Sequence, residues 1–255
     1  MLTQKENKLF MFLCGFFICN VIVAEIIGTK IFSVERTFGF LPLDFSLLGE
    51  NHLSINMSAG TLPWPFVFVL TDVVNEYFGK RGVKFITYLA AGFILYAFAM
   101  IFLAIHTAPA DFWVALYPDI QPDVNHAFQK IFGQGMNIIL GSFVTFFVSQ
   151  WFDAFIFHKL RHSLGENAIS SRALISTLIS QFLDSFLVVF IAFYLLGNWT
   201  TAQLIALVLV SYPYKFVMAL IMTPVLHAAH AGIRKYLGVE LAEKLKSQAR
   251  LDAAA

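Results

Sequence analysis

Hydrophobic positions gather into long windows along this chain, and those windows predict its elements. Six of them, at about 8–29, 61–79, 84–106, 135–157, 173–196 and 203–228, approach the length of a membrane-crossing helix, which needs roughly 20 apolar residues. Inside hydrocarbon a segment must satisfy its own backbone, and a helix does so. The pattern predicts an all-α membrane protein, a single domain of six transmembrane helices over 1–255. The second window is irregular. Pro63 and Pro65 flank Trp64, and a helix does not run comfortably through both. From Phe66 to Phe78 the remaining helix would reach only about 20 Å at 1.5 Å per residue. The stretch 58–65 (SAGTLPWP) is therefore expected to be broken or re-entrant, non-helical backbone shielded by protein, as such segments are when they line a cavity.

Charge orients the windows. With both termini cytoplasmic, the inner segments hold 13 of the 17 basic residues, among them Lys80, Arg81, Lys84, Lys159 and Arg161. The outer loops hold Lys30, Arg36 and Lys130, and Lys215 falls inside the sixth window. That bias follows the positive-inside rule. Of the outer segments, 30–60 has alternating stretches such as HLSINM that suit a short hairpin, and 107–134 reads as an interfacial helix or cap. The first window, Leu9 to Ile27, is too long for a signal-peptide core and reads as a retained span. Composition agrees with all this, at 58% hydrophobic and 13% charged, where soluble domains carry about 25% charged residues. A net charge of +1 gives no reason to expect nucleic acid as a partner. Cys14 and Cys19 lie in the first window as packed or lipid-facing thiols, and no metal site is expected.

Against this background the polar residues inside the windows stand out: Glu25, Asp72, Glu76, Asp153, Asp184 and Lys215. Each is costly in hydrocarbon and should face the bundle interior with a partner. Asp72, Asn75 and Glu76 share one helix face at i, i+3 and i+4. The heptads SQWFDAF (149–155) and SQFLDSF (180–186) repeat Ser, Gln, Asp and a closing Phe at one spacing, placing Gln150 with Asp153 and Gln181 with Asp184. Tyr212 and Lys215 flank a helix-loosening Pro213. Taken singly, each of these is as well explained as interhelical glue or a boundary residue. Together they predict a polar cavity, in which Phe68, Trp151, Phe182, Tyr212 and Tyr214 would offer flat apolar surface. His227 and His230, at the inner end of the last window, read as interfacial residues. The chain contains neither a phosphate-binding loop nor a zinc-protease or serine-hydrolase motif. A multi-helix chain with a broken helix and buried polar residues reads as a small-solute transporter rather than an enzyme.

The stretch AGTLPWPFVFVLTDVVNEYFGKRG, the paired heptads and YPYKFVMALIMTP together resemble the queuosine-precursor transporter family over roughly 59–226. The resemblance implies a bacterial inner-membrane importer of 7-deazaguanines (7-cyano-7-deazaguanine, 7-aminomethyl-7-deazaguanine or queuine), working without a cofactor, with the planar base and the lipid bilayer as its partners. The implied site is Asp184 or Asp153 on the N–H edge, Gln181 and Gln150 bracketing the ring, and Lys215, Asp72, Asn75, Glu76 and Tyr212 around them. A carboxylate accepts adjacent N–H groups in bidentate fashion, which suits such a base. Two other readings remain. One is a substrate-binding subunit of an ATP-driven vitamin uptake system; such subunits dock through small residues on the first helix, which here carries Gly15, Ala24 and Gly28. The other is an intramembrane aspartyl enzyme sharing a proton between Asp153 and Asp184.

Overall fold

The computed structural model describes residues 4–133 and 200–254 continuously, with a scatter of helical positions between 144 and 191. Labels below number the helices described continuously. Among the described residues, three helices are long and apolar enough to cross a membrane: α1 (Gln4–Ile27), α3 (Trp64–Ile105) and α6 (Thr201–Leu237). The fourth and fifth windows fall mostly outside the described residues.

α1 shows why a uniformly apolar helix still has two faces. Leu9, Leu13, Phe17, Val21 and Ala24 recur three or four residues apart and are buried, whereas Met11, Phe12 and Phe16 on the other side are exposed. The buried stripe packs against α3 in the principal core cluster. Cys14 faces this core and Cys19 the outside, both as free thiols.

α3 accounts for the second and third windows together. Gly79 interrupts it at φ 65° and ψ −168°, a backbone region open essentially to glycine alone. The two arms, 64–78 and 80–105, are thus joined by a single non-helical residue, where the apolar windows had left four residues between them. The charged run KRGVK does not need a loop, because its polar side chains can point outward from helical backbone. The start of α3 also departs from expectation. The helix begins at Trp64 rather than Phe66, because Pro65 falls in the first turn, where no intrahelical partner for its nitrogen is lost. The non-helical stretch is shorter in consequence: β4 (Asn56–Ser58), a 3₁₀ turn at Ala59–Thr61, then Leu62 and Pro63.

That stretch is anchored to the end of α1. The Ser58 hydroxyl donates to the Gly28 carbonyl at 2.7 Å and accepts from the Gly60 amide at 3.1 Å, while the Ala59 amide donates to the Lys30 carbonyl at 2.7 Å. Gly60 lies against the end of α1 so closely that a Cβ there would meet the Ala24 carbonyl oxygen at 2.6 Å and the Gly28 Cα at 3.1 Å. Only glycine permits this approach.

Between α1 and α3 the chain forms two antiparallel strand pairs around α2 (Val34–Thr37): β1 (Ile31–Ser33) with β4, and β2 (Phe45–Leu47) with β3 (Glu50–Leu53). The hairpin predicted in 30–60 is present, and a second pair joins it. Glu35 ties this cap together. Its carboxylate accepts from the Ile55 amide at 2.7 Å, the Ser33 hydroxyl at 2.8 Å and the Leu43 amide at 3.4 Å. Burial pushes that carboxyl up, but the hydrogen bonds, led by the Ile55 amide, leave it below its ordinary value of 4.5. The second connecting segment folds as α4 (Asp111–Ala115) and α5 (Val124–Phe132), with Asp123 capping α5 through the His126 amide at 2.7 Å. Gln129 then donates to the Ile105 carbonyl at 3.1 Å and fixes α5 to the end of α3.

α6 opens on a capping box between Thr200 and Gln203 and carries Pro213 and Pro224 in its interior. It runs to Leu237, past the apolar window that ended near 228. Its last turns are amphipathic, with Ile233 and Leu237 buried, and mean hydropathy registers such turns as polar. Gly238, at φ 86°, reverses the chain into α7 (Val239–Ala254), a helix that the apolar windows did not reveal. Ala242, Leu245 and Ala249 line its buried face. α7 lies across the break in α3, where a Cβ on Gly79 would meet the Ala249 carbonyl oxygen at 3.2 Å. Lys5 near the start of α1 reaches the Tyr236 carbonyl at 3.4 Å. The two ends of the chain therefore meet at one end of the bundle.

Candidate functional site

The first arm of α3 is enclosed on every side. From Val67 to Tyr77 every residue is buried, and α1, α6 and α7 all pack against α3. A helix apolar all round is one that sits inside a protein or a membrane; this one sits inside protein, and that is what allows it polar residues. Asp72 is 3% exposed, Asn75 0% and Glu76 2%. The expectation that these three face inward is met, and the wall around them comes from the whole fold.

Their local chemistry differs. Thr71 donates its hydroxyl to the Val67 carbonyl at 2.9 Å, one turn back, so it needs nothing from outside its helix. Asp72 and Glu76 both take part in polar interactions within the chain. The Asn75 side chain has a hydrogen-bond partner at neither its amide nitrogen nor its carbonyl oxygen among the described residues. The Thr87 hydroxyl on the second arm and the Thr145 hydroxyl share that condition.

Lys215 is half-buried on α6 and likewise engaged within the chain. The Tyr212 hydroxyl donates to the Leu178 carbonyl at 3.1 Å and its ring meets Phe182 edge-on at 5.4 Å. Those two contacts bring α6 beside the fifth window. Gln150, Asp153, Gln181 and Asp184 lie outside the described residues. Among the aromatics, Phe68 is buried and Tyr214 half-buried. Trp151 is 60% exposed and stacks on Phe155 at 5.8 Å with the rings 14° from parallel.

Sequence reasoning missed the junction below the triad. The Tyr77 hydroxyl lies 3.2 Å from His230 Nδ1 of α6, and the Lys246 ammonium of α7 sits 5.5 Å from the centre of the Tyr77 ring. Three helices meet on one aromatic residue beside Glu76. The expectation of His230 as an interfacial residue is refined accordingly: it holds α6 against α3. A signal was available in the tail, where Ala242, Leu245 and Ala249 sit at i, i+3 and i+7, the spacing of one helix face. No group of three potential metal ligands occurs among the described residues.

Apolar helices of this length, with a buried polar stretch on one of them, define a membrane protein. Comparison with known proteins narrows this further. A family model described as "putative vitamin uptake transporter" matches residues 58–229. The chain belongs to that family of membrane transporters. It is also similar to a protein of Bacillus subtilis (strain 168) named "probable queuosine precursor transporter", at 25% identity over 183 residues, 69% of this chain and 72% of the relative. No solved structure matches the chain.

Proposed function

We propose that this protein imports 7-deazaguanine queuosine precursors across the bacterial inner membrane, as a single domain of six transmembrane helices with both termini in the cytoplasm. The base would bind in a central polar cavity, held by Asp184 or Asp153 on its N–H edge, by Gln181 and Gln150, and by the polar face of the first α3 arm, Lys215 and Tyr212. The observation carrying this reading is the burial of Asp72, Asn75 and Glu76 on a helix enclosed on all sides. A polar stretch so placed is expensive to maintain in a membrane bundle and marks a solute path by default. The resemblance in TDVVNE and the paired heptads, with the name of the Bacillus relative, supplies the solute. A base with adjacent N–H donors and a carbonyl suits amide and carboxylate side chains, and a site built on such bonds rejects molecules lacking the pattern.

The ATP-driven-subunit reading finds less support. Of the small residues available for docking on the first helix, Ala24 and Gly28 are covered by Gly60 of the same chain, and Gly15 alone is open among the described residues. The test is uptake of labelled 7-cyano-7-deazaguanine by cells unable to make it. Asp184→Asn and Gln181→Ala should each reduce uptake at least about tenfold at unchanged expression, as expected where bonds to a substrate are removed. Unchanged uptake in both variants would take these two residues out of the site. Failure of the parent chain to take up any deazaguanine would defeat the reading as a whole.

A further inference from the structure

Nearly all buried polar groups in proteins have a hydrogen-bond partner, and each exception asks for a use. In the polar stretch 71–76 the exceptions are a single oxygen of Asp72, Oδ1, and the whole amide of Asn75. Thr71 is satisfied by its own helix, and Asp72 and Glu76 are engaged within the chain. Asn75, on the same face as the two acids, is 0% exposed, with both amide atoms lacking a partner among the described residues. An asparagine amide offers two donor hydrogens beside an acceptor oxygen, in a plane fixed by the side chain.

We propose that Asn75 is the specificity-determining contact of the transport site, reading an uncharged edge of the substrate in which a carbonyl adjoins an N–H, as in a lactam. Its nitrogen donates to that carbonyl while its oxygen accepts from the neighbouring N–H. This rests on the transport reading above and changes its emphasis: the amide recognises the ligand, and the flanking acids hold the charge balance around it. The chemistry selects against other ligand classes. A carboxylate ligand would use only the amide nitrogen and would meet Asp72 and Glu76 one helical turn or less away. A cation would be served by those acids and would leave the amide nitrogen without an acceptor. A neutral heterocycle with a lactam edge uses both atoms. Because Asn75 is sealed off on all sides here, ligand reaches it in a different arrangement of the helices, as alternating access requires.

The discriminating variant is Asn75→Leu, an apolar side chain of related shape. Where a buried amide has no protein partner, replacing it with an apolar group of similar shape is close to neutral or stabilising. The full-length protein, purified in detergent, is melted with and without 7-cyano-7-deazaguanine. The proposal expects Asn75→Leu to melt no lower than the parent without ligand, to lose the ligand-induced rise in melting temperature, and to transport at least about tenfold more slowly. Should Asn75→Leu fail to fold, Asn75→Ala, which cannot clash, is judged by the same ligand-induced rise. A variant that keeps the rise overturns the proposal and leaves the transport reading standing, with the amide holding at most a buried water. A variant that folds but melts well below the parent, with the ligand response intact, shows the amide to be structural and equally overturns it. A parent protein stabilised by no deazaguanine removes the transport reading itself.

Discussion

The two arms of α3 are near equals in apolar character, and each would be read as a membrane helix from hydropathy. Their surroundings differ completely. Every residue from Val67 to Tyr77 on the first arm is buried. On the second arm Val83, Ile86, Ala90, Ala91 and Ile94 form a buried stripe, while Phe85, Tyr88, Phe93, Leu95 and Tyr96 are exposed on the other side. The second arm behaves as a peripheral helix, buried along one stripe and exposed along the other. The first behaves as a core helix. Only the first carries carboxylates away from its ends, because a charged or amide side chain is tolerable where protein groups surround it and costly where lipid does. The arms teach that hydropathy reports the solvent a helix avoids, and is silent on whether protein or lipid takes that solvent's place.

The contrast is sharpest in two tyrosines. Tyr77 on the first arm is 2% exposed and joins three helices through His230 and Lys246. Truncation to Ala should cost about 3–5 kcal/mol, the range for emptying a buried aromatic site. It would be measured as the loss in unfolding free energy of the purified protein in mixed micelles. A loss below about 1 kcal/mol would mean that the first arm is not the enclosed helix described here.

Next in size is Gly79, the residue separating the arms. Gly79→Ala places a Cβ on a positive-φ residue and against the Ala249 backbone at 3.2–3.3 Å. Strained backbone of this kind and a crowded contact together suggest about 2–3 kcal/mol of destabilisation. Faster proteolysis of the chain beyond Gly238 should accompany it, since α7 would be lifted from the break. If protection of α7 were unchanged, the packing of α7 over Gly79 would not be what holds that helix in place.

The smallest effect belongs to Tyr96, 63% exposed on the second arm. Tyr96→Ala should change stability by no more than about 0.5 kcal/mol, as for substitutions away from packed features. A large loss there would reveal a partner on the face of the second arm that this chain leaves uncovered.

Much of the fold was legible because bilayer physics writes it in large letters. Long apolar windows located α1, both arms of α3 and α6, since a spanning segment must be apolar and long. The hairpin segment was legible from alternation in HLSINM, and the inward face of Asp72, Asn75 and Glu76 from helical spacing. The limits were missed for local reasons. Pro65 is harmless in a first helical turn, Gly79 turns the chain in one residue, and the last turns of α6 are amphipathic rather than apolar. In the site, spacing predicted which residues share a face but not whether neighbours satisfy them. Tyr212 was singled out by its company with Lys215, and spacing did not show that its hydroxyl also bonds the Leu178 carbonyl.

By itself, then, the sequence determined that this chain lives in a membrane, which segments are apolar enough to cross it, and which polar side chains are costly to expose there, because those follow from transfer between water and hydrocarbon, a property of each segment alone. Only the tertiary structure decided which helix is central, that α7 closes over Gly79, that Tyr77 joins three helices, and that Asn75 is the member of its triad with neither amide atom engaged among the described residues. Those depend on which groups from distant parts of the chain come within a few ångströms of one another, and helical spacing along one segment carries no record of that.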